Sequence, residues 1–299
     1  MSDWINELSF AQRQRLQFIE SLLIWDGFVQ RRDVCEVFNV TPNHLTRDIK
    51  RYRTFNKDSL EYDVETRAYR TGRAFTPLFA SGSAEEYLAL LQASGRCDSA
   101  IVLPAMGHLV PFETLLQPLG LVDASILRAV IHALRNSTGI SVTYQSFSDP
   151  KPVSRVLWPH TLVFNGERWH VRAFDSRRKE FRDFVLARLL TANPSHDVAP
   201  MSVAKDNLWN ETEVLEVIPA TYLSVSQQNV VAREYGMAMS ATEQPAWTVT
   251  LRKCLVGYFL IRYRLESGGS LENQPTPGQH PHLALRFPER LDSYRFAAD

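Results

Sequence analysis

Residues 166–175 read GERWHVRAFD. In an extended chain, alternation sends Trp169, Val171 and Ala173 to one side and Arg168, His170 and Arg172 to the other. The first set makes a core face, so Trp169 is expected inside. The second puts two guanidinium groups and an imidazole on the opposite side of a well-made strand. Asn165-Gly166 is the strongest hairpin signal in the chain, and SRVLWPHTLVF (154–164) reads as the strand before it. ISVTYQSF (140–147) puts Ile140, Val142, Tyr144 and Ser146 on one face, and FRDFVLARLL (181–190) reads as one further strand. Four short strands joined by short turns predict a small β-barrel of SH3-like or Sm-like type.

Upstream the period changes to that of helices. SFAQRQRLQFIESLLIW (9–25) spaces Leu16, Ile19, Leu22 and Leu23 helically, and Gly27 follows as a stop. RRDVCEVF (31–38) fits a shorter helix with Val34, Val37 and Phe38 facing inward. In NVTPNHLTRDIKRYRTF (39–55), Thr41 is a good N-cap and Pro42 suits the first helical position. Leu45, Ile49 and Tyr52 form that helix's core stripe, which leaves Asn43, His44, Thr46, Arg47, Lys50, Arg51 and Arg53 on the other faces. SLEYDVETRAYRTG (59–72) is a hairpin signal without an Asn-Gly turn. Three helices and a hairpin predict a winged helix-turn-helix.

Residues 74–139 read as a helical bridge, with helices at SAEEYLALLQAS (83–94) and DASILRAVIHALRNSTG (123–139). His108 and His132 have no carboxylate or cysteine at metal-ligand spacing and read as structural or surface residues. Beyond the barrel, EVLEVIP, SQQNVVAREYG, WTVTL, RKCLVGYFLIRYRL and HLALRF alternate strand and helix. That pattern predicts an α+β sandwich carrying no chemistry, suited to dimerisation. The expected organisation is therefore a multidomain α+β protein: winged helix at 1–73, helical linker at 74–139, barrel at 140–192 and C-terminal extension at 193–299.

The 299-residue chain has a formal net charge of zero, which by itself argues against a nucleic-acid binder. Distribution says more than the sum. Residues 140–190 hold nine basic and five acidic side chains, and residues 41–57 hold Arg47, Lys50, Arg51, Arg53 and Lys57 against Asp48 alone. No apolar run is long enough for a membrane span, and the acidic N-terminus lacks the features of a signal peptide. Cys35, Cys97 and Cys254 form no pair of metal-ligand or disulfide spacing, so a reducing cytoplasm is expected and neither a metal nor a cofactor is.

No HExxH, GxSxG, phosphate-binding glycine loop or D-x-D cluster occurs, and no base or nucleophile stands out as catalytic, so an enzyme is not expected. The barrel segment instead offers Tyr144, Ser146, Arg155, His160, His170, Arg172, Arg182 and Arg188. Guanidinium forks match phosphate oxygens, and rings can stack on bases. An anionic ligand suits this group. Pairing of several arginines with Asp149, Glu167, Asp175, Glu180 and Asp183 on the surface is the competing explanation.

RWHVRAFD, preceded by SRVLWPHTLVFNGE and followed by EFRDFVLARL, resembles the WYL domain of bacterial transcriptional regulators. The naming Trp-Tyr-Leu tripeptide stands here as Trp169, His170, Val171. Pro159-His160 and His170 are closer to the BrxR and CapW subgroup, found with anti-phage defence systems. The resemblance spans the whole chain, and WTVTLRKCLVGYFLIRYRLE (247–266) resembles the family's dimer-forming element. It implies a homodimer that binds an inverted repeat in double-stranded DNA, represses a defence operon, and is released when the WYL domain binds a nucleic acid or nucleotide. The eight residues of the barrel group would be the ligand face. On DNA, Thr41 would start the recognition helix and Asn43, His44, Thr46 and Arg47 would face base edges. Lys50, Arg51 and Arg53, with Arg67 and Arg70 of the wing, would meet phosphates. An activator of the same architecture, a nucleotide-cleaving enzyme and a single-strand binder stay open as alternatives.

Overall fold

Capping residues fix where the helices of the N-terminal half begin. Ser9 forms a reciprocal capping box with Gln12 and starts α2 (Phe10–Trp25), just after the short α1 (Asp3–Asn6). Strand β1 (Phe28–Gln30) leads directly into α3 (Arg31–Phe38), which ends at Asn39 in the left-handed region (φ 49°). Thr41 then accepts a hydrogen bond from the His44 N–H, and Pro42 opens α4 (Pro42–Phe55). In the computed structural model the described residues are 3–95, 103–114, 122–195, 197–239, 244–265 and 282–294. The chain divides into two compact units, Met1–Leu116 and Gln117–Asp299.

In the first unit, β2 (Leu60–Asp63) and β3 (Ala68–Thr71) form the wing, and β1 adds to β3 to give the antiparallel order β1-β3-β2. The three-residue β1 is too short to leave a periodic signal, and the sequence reading passes over it. The wing needs no Asn-Gly turn. Asp63 accepts from the Glu65 and Thr66 N–H groups instead, and Arg67 takes the left-handed conformation (φ 53°). Leu16, Ile19, Leu22 and Leu23 of α2 pack with Leu45, Ile49 and Tyr52 of α4 and with Leu60 and Tyr69 of the wing. Val37, expected inside, is 41% exposed, while Val34 fills the α3 contact. Glu20 is fully buried in this core. It accepts from the Leu78, Phe79 and Ala80 N–H groups and from the Tyr52 hydroxyl, which ties the post-wing segment to α2. Helices α5 (Ala84–Ser94) and α6 (Leu103–Met106) complete the unit.

The second unit opens with α7 (Ala124–Asn136), capped by Asp123. Strands β4 (Gly139–Tyr144), β5 (Val153–Phe164), β6 (Trp169–Asp175), β7 (Glu180–Val185) and β8 (Leu189–Ser195) follow, in the antiparallel order β7-β6-β5-β4-β8. FRDFVLARLL is therefore two strands, not one. A 3₁₀ turn at Leu186–Arg188 breaks it and carries the chain across to pair with β4. The segment thus has five strands where four were expected, with register shifts at Pro159/Thr161 and Thr143/Tyr144, and among the described residues no β7–β8 pair is present. Ile126, Val130 and Ala133 of α7 pack on Ile140, Val142, Leu157, Val171 and Ala173 of this sheet.

After a short α8 (Asn207–Asn210) that the sequence reading lacks, the C-terminal part follows the expected alternation: β9 (Thr212–Pro219), α9 (Val225–Glu234), β10 (Trp247–Arg252), α10 (Lys253–Arg262) and β11 (Leu283–Leu285). Its antiparallel order is β10-β9-β11, and Leu215 and Val217 of β9 pack against Val231 of α9 and Val256 and Leu260 of α10. No helix among the described residues is long and apolar enough to cross a membrane. Cys97 lies outside the described residues.

Candidate functional site

Two basic surfaces are built in different ways. On α4, burying Leu45, Ile49 and Tyr52 turns Asn43, His44, Thr46, Arg47, Lys50 and Arg53 outward, all of them exposed, with Thr41 exposed at the cap. His44 Nδ1 lies 3.1 Å from Thr41 Oγ1, and Thr46 donates to the Pro42 carbonyl at 2.8 Å. Arg51 pairs with Glu7 at 2.9 Å and Arg70 with Asp63 at 3.1 Å. Among the described residues Arg47, Lys50, Arg53 and the wing residue Arg67 make no ion pair. Asp48, the one acid of the stretch, is turned inward to Arg15 at 2.8 Å, so it does not offset the outer charge.

The sheet treats its basic residues differently. From His170 to Asp175 every residue of β6 is buried, and Trp169 is the exposed one, at 49%. This overturns the expectation for Trp169. It lies at the end of the strand, packed at a tilt of 37° against its cross-strand neighbour Phe164 with ring centroids 5.0 Å apart. His170 and Arg172 are buried because the C-terminal part covers their side of the sheet. The Tyr258 ring of α10 packs on His170 at 5.0 Å. Arg172 donates from Nε and Nη2 to both oxygens of Asp206, at 2.6 and 2.7 Å, and from Nη1 to Asp183 at 3.0 Å. His160 completes the cluster, with Nε2 3.1 Å from Asp206.

The surroundings set the charges. Burial works against the positive charge of Arg172, but Asp206 and Asp183 outweigh it and hold its pKa above the ordinary value. Burial opposes ionisation of Asp206 as well, yet the hydrogen bonds from Arg172 keep its pKa low. Burial raises Asp183, with Arg172 opposing. Burial lowers His160 against the pull of Asp206. Burial, and then Arg168, lowers His170 to about 4, so its ring is neutral near pH 7.

Beside this cluster lies a cavity of about 560 Å³. Of the eight predicted ligand residues, Tyr144, Ser146, Arg155, His170, Arg182 and Arg188 line it, whereas His160 and Arg172 do not and sit in the buried ion cluster. The walls add Arg168, Arg177, Arg178 and Arg262, so seven arginines face three carboxylates, Asp149, Glu167 and Asp183. Phe147, Phe184 and Tyr258 supply rings, and Arg188 stacks on Phe147 at 4.1 Å. Arg262 of α10 lies against the β5–β6 turn where Gly166 has φ +96°, and a Cβ there would overlap its guanidinium. The pocket thus joins the five-stranded sheet to the C-terminal helix. Sequence reading missed Tyr258, Arg262 and Asp206, because a partner that meets β6 through long-range packing leaves no local pattern.

Family models match the chain in three stretches: a BrxR transcriptional regulator winged helix-turn-helix domain at residues 11–93, a WYL domain at 125–194, and a BrxR C-terminal dimerization domain at 212–291. Proteins named DNA-binding transcriptional repressor CapW match over most of the length. The Stenotrophomonas maltophilia protein is 31% identical over 292 residues, covering 97% of this chain and 94% of its own. One from Escherichia coli is 31% identical, covering 86% and 84%, and one from Pseudomonas aeruginosa is 30% identical over the same shares. This chain belongs to the BrxR/CapW family of WYL-domain transcriptional regulators. In family terms, α2–α5 with β1–β3 fall in the winged domain, β4–β8 with α7 form the WYL domain, and β9–β11 with α9 and α10 form the dimerization domain. Among solved structures, proteasome accessory factor B/C of Arthrobacter aurescens matches with 14% identity and a TM-score of 0.27, over 93% of this chain and 47% of its own.

Proposed function

We propose that the protein is a homodimeric, DNA-binding transcriptional repressor whose WYL cavity takes a nucleic acid or nucleotide that relieves repression. The observation that carries the effector half is the cavity itself, where seven arginines and several rings gather in a chain with no net charge. The repressor half is supported by the CapW relatives and the dimerization-domain match. A two-fold dimer presents two recognition helices, so an inverted repeat is the matching operator. Asn43, His44, Thr46 and Arg47 face base edges, while Lys50, Arg51, Arg53, Arg67 and Arg70 meet phosphates. The defence-operon setting and a cytoplasmic site of action rest on family resemblance.

The test is an electrophoretic mobility shift of the full-length protein on the promoter of its own gene, against a scrambled duplex, at physiological salt. The proposal expects a sequence-dependent shift at least about 10³ tighter than on the scrambled duplex. Equal binding to both duplexes would demote α4 to a scaffold and favour a single-strand binder acting through the WYL cavity.

A further inference from the structure

The loop between β4 and β5 places a carboxylate beside an arginine whose best anion-binding edge is bare. Arg155 is 9% exposed, and its guanidinium is fixed from two directions. Nη1 donates to Asp175 at 3.0 Å, and the Tyr144 and Phe184 ring centroids lie 5.5 and 5.6 Å from Cζ. What remains is the Nε/Nη2 edge, which can grip an oxyanion through two parallel hydrogen bonds. Nε and Nη2 are both buried without a hydrogen-bond partner. Leaving them unbonded costs free energy that a suitable acceptor would recover.

Asp149 is close but does not supply that acceptor. Its Oδ2 stands 3.6 Å from Arg155 Nη2, an ion pair without a hydrogen bond. It is held instead by Arg177 Nη1 at 3.0 Å and by the Ser146 hydroxyl at 2.9 Å. The Arg177 hydrogen bond keeps its carboxyl below the usual carboxylate range, so it is ionised at neutral pH.

We propose that Asp149 is an internal competitor for the oxyanion position between Arg155 and Arg177, and that the group displacing it is the terminal phosphate of a nucleotide or oligonucleotide. The proposal rests on the effector reading above and specifies which part of the effector is read. An internal phosphodiester carries one negative charge and would exchange with the carboxylate like for like. A terminal phosphate carries about −1.5 to −2 near pH 7 and has three acceptor oxygens. Two oxygens fit the Arg155 edge and the third is left for Arg177. Such ends arise by phosphodiester hydrolysis, in which water adds across a P–O bond and leaves phosphate on one fragment and a hydroxyl on the other. A hydrolytic nuclease is therefore the class of reaction that supplies this ligand.

The experiment is fluorescence anisotropy with the full-length protein and short single-stranded oligodeoxynucleotides of one sequence, ending in 5′-phosphate, 3′-phosphate or hydroxyls only. Inorganic phosphate serves as competitor. The proposal expects a phosphate-ended probe to bind roughly tenfold tighter than the hydroxyl-ended one, the worth of about one charge-assisted hydrogen bond. That preference shrinks as pH falls through about 6, where the second phosphate proton returns. Asp149→Asn removes the competitor and raises affinity for the phosphate-ended probe. Arg155→Lys, checked for native melting, keeps the charge but loses the two-pronged edge and the preference with it. Equal binding of all three probes to the wild type overturns the proposal and leaves the effector reading standing. No binding of any probe overturns both. Inorganic phosphate competing as well as a phosphorylated oligonucleotide overturns the nucleotide part of the assignment.

Discussion

The α4 surface and the WYL sheet use the same residue type for opposite tasks. Arg47 and Arg53 stand exposed, and the one nearby acid, Asp48, is turned away to Arg15. Arg172 is buried and held by Asp206 with Asp183. An exposed, uncommitted cation costs the fold little and is available to a polyanion. A buried one is tolerated only with its partners in place, and it contributes position more than free charge. Arginine count therefore says where a protein is basic, and the partners each guanidinium already holds say which arginines can meet a ligand.

The largest effect is expected where that contrast is sharpest. Asp206→Ala leaves Arg172 buried with Asp183 alone and should lower stability by about 3 kcal/mol, read by urea denaturation. Arg47→Ala, on the other surface, should leave the denaturation midpoint unchanged. A small effect of D206A would mean that the cluster is open to water and that the contrast is false.

Acid should separate the regions next. His170 is neutral in the folded chain, with a pKa of about 4 against 6.5 for a free imidazole. The unfolded chain thus binds the extra proton first, and stability should fall as pH drops from about 6.5 towards 4. His160, lowered by burial, acts in the same direction. His170→Gln should flatten the slope in that window, as followed by melting temperature against pH. An unchanged slope would place the loss elsewhere.

On DNA, Arg47→Ala should weaken operator binding by roughly 1–3 kcal/mol and relax sequence choice, seen by comparing operator with random duplex. Equal losses on both would assign Arg47 to phosphate. Trp169→Ala, at the exposed end of β6, should cost only about 1 kcal/mol of stability, since the main loss is its cross-strand contact with Phe164. Unfolding of the sheet would restore Trp169 to the core. Lys50→Ala should have the mildest effect, reducing the salt slope of DNA binding by about one.

What the sequence made legible follows its local signals. The helical stretches read at 9–25, 83–94 and 123–139 and the cap at Thr41-Pro42 are kept by the structure, where Ser9, Ser83 and Asp123 prove to be caps as well, because caps act within a few residues of themselves. Alternation found β4, β5 and β6 but failed on which face of β6 was dry. Both faces from His170 onward are covered, one by the sheet's own core and the other by α10 and Asp206, and period-two reasoning assumes that one face meets water. The break at Leu186–Arg188 was hidden because VLARLL keeps its apolar character through the turn. On the ligand side, His160 and Arg172 have the chemistry to meet an anion but face Asp206, 46 and 34 residues away in sequence. Local reading had no means of pairing them.

The most direct test of the account joins its two regions in one titration. A preformed complex of the protein with labelled operator duplex is titrated with a short single-stranded oligonucleotide, and release is followed by anisotropy. The wild type and an Arg168→Ala/Arg188→Ala variant, altered at the cavity wall and not at the DNA face, are compared. The account predicts that the oligonucleotide releases the wild-type complex, and that the variant binds operator normally but resists release by roughly tenfold in concentration. Equal release of both proteins, or release of neither, would contradict the claim that the arginine-lined cavity controls the DNA-binding helix.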